Sequence, residues 1–223
     1  MKKYVKLIKY LFTENYKTIW FNFKYLPFDQ AICFPIILSK NVYLKKMEGQ
    51  IEFECPLRYN LINIGFGEIG IFDEKNLRSI WQVSGKVIFK GKALLGHGVK
   101  VSVEKNGSLI FGKNFKLTAQ TAFVCHDKIE FGKNCLLSWE ILIMDTDSHS
   151  IIDSIGNMSE KTRPIYIGDH VWIGCRATIL KGTTIASNSV VGASSLLNTN
   201  YQNENSLYAG SPAKLLQENI KWI

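Results

Sequence analysis

From Ile167 onward every sixth residue is aliphatic: Ile167, Ile173, Ile179, Ile185 and Val191. The next residue in each case is Gly168, Gly174, Leu180, Ala186 or Gly192, and the fourth is Val171, Ala177, Thr183, Ser189 or Ser195. Small and β-branched residues therefore keep the same beat as the aliphatic ones. Upstream the beat returns in shorter runs: Phe89, Leu95 and Val101, then Phe111, Leu117 and Phe123, then Phe131, Leu137 and Ile143. The tetrapeptide FGKN occurs twice, at 111–114 and at 131–134.

A period of six fits neither a helix nor a simple alternating strand. It predicts an all-β fold, a parallel β-helix with three flat faces per coil and one inward aliphatic residue per face. Small residues suit its tight corners, and glycine or asparagine tolerates the unusual turn conformation. Regular coils are expected from about residue 85, about six in all. The phase breaks most severely after Ile143, which expels residues 145–164 as a protruding loop. Loops of that length inside a compact repeat usually carry function.

The ends depart from the beat. Val5, Ile8, Leu11, Phe12 and Tyr16 fall at helical intervals, so an amphipathic helix is expected over residues 2–17. Residues 18–60 are aromatic-rich and irregular, with strands near Ile36–Leu44 and Ile51–Glu54. After Gly210-Ser211-Pro212 a short helix is expected from Ala213, with Pro212 at its first turn. The division is thus a cap region at 1–60, a β-helix domain at 61–212 and a C-terminal helix within 213–223.

Charge sharpens this picture. The net charge is +8, yet residues 1–46 alone hold nine lysines against Glu14 and Asp29. The rest is nearly neutral, so a nucleic-acid partner is not indicated. The basic N-terminus could touch an anionic membrane surface. Capping the open end of the prism accounts better for its aromatic residues. Five cysteines without a CxxC argue against disulfides or a zinc ribbon. No apolar run approaches the ~20 residues of a membrane span, and Lys6 and Lys9 interrupt any signal-peptide core. A cytoplasmic protein is expected, at most peripheral to the inner face of the membrane.

The frame from Ile167 to Val191, together with RPIYIGDHVWIG (163–174) and VVGASS…YAGSPAK (190–214), resembles the hexapeptide-repeat acyltransferases. The last two stretches look like the C-terminal half of the maltose, galactoside and capsule-sugar O-acetyltransferases. The resemblance implies a left-handed β-helix, a homotrimer, acetyl-CoA as acyl donor in the groove between neighbouring prisms, and no metal. It places His149, at the root of the protruding loop, as general base. It places Cys175, Ala193 and Lys214 at cofactor contacts, with the Cys175 N–H as oxyanion donor. Gln217 departs from the pattern, standing where the family often has a basic residue.

The chemistry of the residues agrees. Acyl transfer to a sugar hydroxyl needs a base, and an imidazole, ordinarily titrating near ~6.5, is mostly neutral at cellular pH. A carboxylate can fix its tautomer, and Asp145, Asp147 and Asp153 are all near in sequence. Asp145 and Asp147 could equally meet the acceptor. Trp172 could stack on a sugar ring or pack between subunits. His97, His126, His170 and Trp139 read as structural. Cys125-His126 makes a poor nucleophile pair, because strand neighbours point to opposite faces.

The expected function is O-acetylation of a surface polysaccharide or its precursor. N-acylation of an amino-sugar nucleotide and a non-catalytic scaffold are the alternatives. A zinc carbonic anhydrase of this fold needs closely spaced histidines, and no two here lie four to six apart.

Overall fold

The computed structural model describes residues 16–223. Three parallel sheets form the three faces of a prism. The first face has nine strands, from Ile36–Leu38 through Leu207–Gly210 to Ala213–Gln217. The second has seven, from Val42–Met47 to Leu196–Leu197, and the third seven, from Gln50–Phe53 to Asn200–Tyr201. Each coil crosses the faces in that order. We call the turn between the first and second faces the first corner, that between the second and third the second corner, and the return the third corner. This is the parallel β-helix that the period of six called for.

The prism begins earlier than residue 61. Ile36–Leu38 pairs in parallel with Ile62–Ile64, so the supposed cap region supplies the whole first coil. Seven coils stack instead of six. The early coils hid because their corners are long: Ile36 sits under Ile62, 26 residues on, and Ala93 under Phe115, 22 on. Only from Tyr166 on, where Tyr166 sits under Thr184, Trp172 under Val190 and Thr178 under Leu196, does the offset reach the 18 of a strict repeat.

Inward side chains fill the prism in columns. On the third face Phe53, Phe89, Phe111 and Phe131 stack ring on ring, with centroids 5.4 to 5.9 Å apart and planes within 28°. Above them Ile167, Ile185 and Tyr201 continue the column. The corners turn through left-handed residues. At the first corner these are Gly98, Gln120, Glu140, Arg176 and Ser194; at the third they are Asn114, Asn134, His170, Asn188 and Asn205. Asparagine and histidine tolerate this conformation better than most residues, which gives His170 a structural reason to be there.

The expected helix over 2–17 lies mostly outside the described residues. A helix, α1 (Tyr16–Tyr25), occupies a stretch expected to be irregular. It plugs the open edge of the first strand. The Asn22 carboxamide donates to Ile36 O (2.7 Å) and accepts from Ile36 N–H (3.2 Å), while the Thr18 hydroxyl accepts from Leu38 N–H (3.0 Å). The side chains thus copy a neighbouring strand. Tyr25 accepts a hydrogen bond from Trp81 Nε1 (2.9 Å), and burial pushes its phenol up to about 12.

The other end is also plugged, but not by the expected helix. Ala213–Gln217 runs antiparallel to Leu207–Gly210, with Ala209 opposite Lys214. Five residues are too few for a stable helix, and the last parallel strand offers unpaired N–H and C=O groups that a strand can satisfy. No helix among the described residues is long and apolar enough to cross a membrane.

Replacing Asn22 by alanine leaves both polar groups of Ile36 buried without partners. The substitution is expected to lower unfolding free energy by about 2 kcal/mol or more in urea denaturation. An unchanged midpoint would show that the plug does not close the edge.

Candidate active site

Cys175 and Ala193 follow equivalent positions in successive coils of the first corner. The ladder register, Trp172 under Val190 and Ile173 under Val191, carries Cys175 onto Ala193, and Ser194 N–H donates to Cys175 O (2.8 Å). Neither Cys175 N–H nor Ala193 N–H donates to any acceptor among the described residues. Gly174 keeps this corner open: a Cβ there would lie 2.7 Å from Ala193 N. Lys214 is exposed, opposite Ala209, whose Cβ lies against Gly192 at the same corner. The three residues therefore form one line along the first corner, two free N–H donors below and an ammonium above.

His149 belongs to a different corner. The chain leaves the second face after Met144 and returns at Ile165, so the insertion fills the second corner. Its root is braced. The Asp145 carboxylate, fully buried, accepts from His126 N–H (2.8 Å) and Asp127 N–H (2.9 Å) in the coil below. Arg163 N–H donates to Asp145 O (3.0 Å), tying the returning strand to the departing one. Lys181, from the coil above, pairs with Asp147 at 2.5 Å and also donates to Glu160 O. Ser148 then takes a left-handed turn (φ 63°), with its N–H on Thr146 Oγ1 (2.9 Å). His149 follows, exposed, and its imidazole meets no partner among the described residues.

The second face thus separates the imidazole from the two N–H donors within one chain. His149 and the two free N–H groups therefore stand on neighbouring corners and do not meet within a single chain. Among the described residues no cluster of three His, Cys, Asp or Glu side chains could hold a metal ion.

Residues 164–199 match the family model described as bacterial transferase hexapeptide (six repeats). The chain is 26% identical over 143 residues to the putative lipopolysaccharide biosynthesis O-acetyl transferase WbbJ of Escherichia coli K12, covering 60% of this chain and 72% of that one. It is 28% identical over 158 residues to the galactoside O-acetyltransferase of the same organism, covering 58% and 77%. Over 96 residues it is 42% identical to the polysialic acid O-acetyltransferase of Neisseria meningitidis, covering 43% of this chain and 45% of that one. Residues 164–199 thus carry a bacterial transferase hexapeptide repeat, and the similar proteins are O-acetyltransferases by name.

In this acyltransferase the acidic residues of the loop sort differently from expectation. Asp145 neither orients His149 nor meets an acceptor, because both its oxygens are spent on backbone N–H groups in the interior. Asp153 is spent too, accepting from Ile155 N–H, Asn157 N–H and Asn157 Nδ2 to hold the loop's tip. Asp147 stays at the surface but faces Lys181. Trp172 is 38% exposed on the first face, its Nε1 donating to Ser138 Oγ (3.3 Å). Lys181 was not legible as a site residue, although it opens the turn directly after the repeat position Leu180. The Glu140–Arg176 pair (2.8 Å), which lies beside Cys175 on the first corner, was also missed.

The thiols are structural. Cys125 is buried, and burial, with the Asp145 carboxylate beside it, pushes its thiol far up. Burial likewise pushes Cys135 up to about 12. A raised thiol stays protonated and unreactive at neutral and mildly alkaline pH. Iodoacetamide at pH 8 is expected to label exposed Cys33 within minutes and to spare Cys125 and Cys135 until the protein unfolds, as mass spectrometry would read. Rapid labelling of Cys125 in the folded protein would reopen it as a nucleophile.

Proposed function

We propose that this acyltransferase moves an acetyl group from acetyl-CoA to a hydroxyl of a surface polysaccharide or its precursor, in a site shared between copies of the chain. The observation that carries the proposal is the surface lying between these two corners. Below the fourth coil the second face turns Lys100, Ser102 and Gln82 outward, but from the fourth coil up its outward residues form two adjacent, mostly apolar columns, Ala122, Leu142, Thr178, Leu196 and Val124, Met144, Leu180. All are only partly covered in the single chain. The third face instead turns Lys128, Glu130 and Tyr166 outward. An apolar sheet face rimmed by polar corners is suited to burial against another copy. A threefold arrangement about this face brings the first corner of each prism against the second corner of its neighbour. His149 of one copy then faces Cys175, Ala193 and Lys214 of the next.

The chemistry follows from that juxtaposition. Acetyl-CoA lies along the first corner, with Lys214 near its phosphates and the thioester carbonyl at the Cys175 N–H. The neighbour's His149 takes the proton of the acceptor hydroxyl as its oxygen bonds to the carbonyl carbon. The backbone N–H stabilises the oxyanion. The C–S bond breaks, and the imidazolium returns the proton to the departing thiolate. The products are an O-acetyl sugar and free CoA, with no acyl-enzyme. Asp145 and Lys181 act on His149 only by fixing the loop root that carries it. The three relatives, each an O-acetyltransferase by name, support a hydroxyl acceptor.

Release of CoA thiol from acetyl-CoA, measured with polysaccharide and amino-sugar-nucleotide acceptors, tests the proposal. With a hydroxyl acceptor, His149→Ala is expected to lower kcat by about 10²-fold or more, with CoA affinity little changed. Turnover only with an amine, insensitive to His149→Ala, would favour N-acylation. No turnover and no CoA binding would leave a scaffold.

A further inference from the structure

The third corner carries a feature that acetyl transfer does not use. In its lower coils the asparagines satisfy one another, Asn114 Nδ2 donating to Asn134 Oδ1 (3.0 Å). Higher up, the carboxamides of Asn188 and Asn205 have no partner among the described residues. The C-terminal segment folds back beside them. Ile220 N–H donates to Asn205 O (2.8 Å), and Trp222 Nε1 donates to His170 O (2.9 Å). The Trp222 indole stacks flat on the His170 imidazole, with centroids 4.0 Å apart and planes within 6°. Between segment and corner lies a pocket of about 440 Å³, lined by His170, Asn188, Asn205, Asn219, Lys221 and Trp222.

The character of this lining selects a ligand class. Three carboxamides, those of Asn188, Asn205 and Asn219, each on a residue with left-handed backbone, offer paired donors and acceptors. An aromatic platform lies beside them, with Trp172 6.2 Å from Trp222 extending it. Sugar rings combine an apolar C–H face with a rim of hydroxyls, which such a wall fits. The charge is one-sided: Lys221 lines the pocket and no carboxylate does. Of the acids adjacent in sequence to lining residues, Asp169 pairs with Lys133 (3.3 Å) and Glu218 accepts from Asn203 Nδ2 (2.6 Å), while Glu204 precedes Asn205 outside the lining. We infer that the third corner holds a second glycan-binding site, separate from the transfer site, for an acidic sugar residue of a chain.

The pocket itself is complete within one chain. Its accessibility rests on the assembly proposed above, which turns the second face inward and the third corner outward. A polymer held there would stay near the enzyme between transfers without touching His149.

Binding to the His149→Ala protein tests this apart from catalysis. The probes are an oligosialate, an oligogalacturonate and neutral maltoheptaose, followed by saturation-transfer NMR and calorimetry. At least one acidic oligosaccharide is expected to bind at least fivefold more tightly than maltoheptaose. Trp222→Ala should weaken that binding tenfold or more. Lys221→Gln, which leaves the aromatic stack intact, should weaken it about fivefold and flatten its salt dependence without moving the thermal midpoint. In the wild-type background both variants should raise KM for a polymeric acceptor and leave turnover of a monosaccharide acceptor unchanged. The inference is overturned if neither acidic probe binds, if binding ignores both substitutions, or if CoA competes for the same site.

Discussion

Coil-on-coil backbone pairing governs this molecule. Each coil must present its N–H and C=O groups in register to the next, because strands buried between two neighbours cannot leave them unpaired. The faces are therefore nearly invariant, and the corners must turn in few residues through left-handed conformations. Chemistry is left two places: the backbone groups of the corners, which the ladder does not consume, and insertions that leave a corner and return to it. The Cys175 and Ala193 N–H groups are the first kind and His149 the second. The same requirement explains both ends, where the ladder would otherwise stop at an open edge. Asn22 and Thr18 imitate a strand below, and Ala213–Gln217 supplies one above.

Much of this was legible in the residues, and the rest was hidden for definable reasons. The last coils announce themselves because their pairing offset is 18, so the repeat and the fold coincide. The first coils pair at 26 and then 31 residues, Ile36 with Ile62 and Ile62 with Ala93, and the beat dissolves although the faces are equally regular. The C-terminal segment was misjudged because local preference said helix and only the neighbouring edge says strand. Asp145 was misjudged for the opposite reason, since the signal was present. Ile143 points in and Met144 out, so alternation already sends Asp145 inward, towards backbone donors and away from any acceptor. Asp147, two residues on, escapes that alternation and pairs at the surface with Lys181 from the coil above.

The same alternation explains the second face. Inward residues Phe123, Ile143 and Ile179 mark the core, and the residues flanking them should be polar if that face met water. Of the six, Ala122, Val124, Leu142, Met144 and Leu180 are apolar and only Thr178 is polar. On the proposed function, covering this largely apolar outer face is what brings His149 and the free N–H groups of the first corner together, which a single chain keeps apart.

That claim is tested most directly by mixing two inactive proteins. His149→Ala lacks the base but keeps its first corner, while Ala193→Trp fills the exposed first corner but keeps its base. Co-refolded in equal amounts, they form mixed assemblies in which some interfaces pair an intact His149 with an intact first corner. The account requires thiol release from acetyl-CoA to recover to a substantial fraction of wild type, while each variant alone stays inactive. Mixed assemblies that form, as native mass spectrometry would show, yet remain inactive would place the whole site within one chain and contradict it.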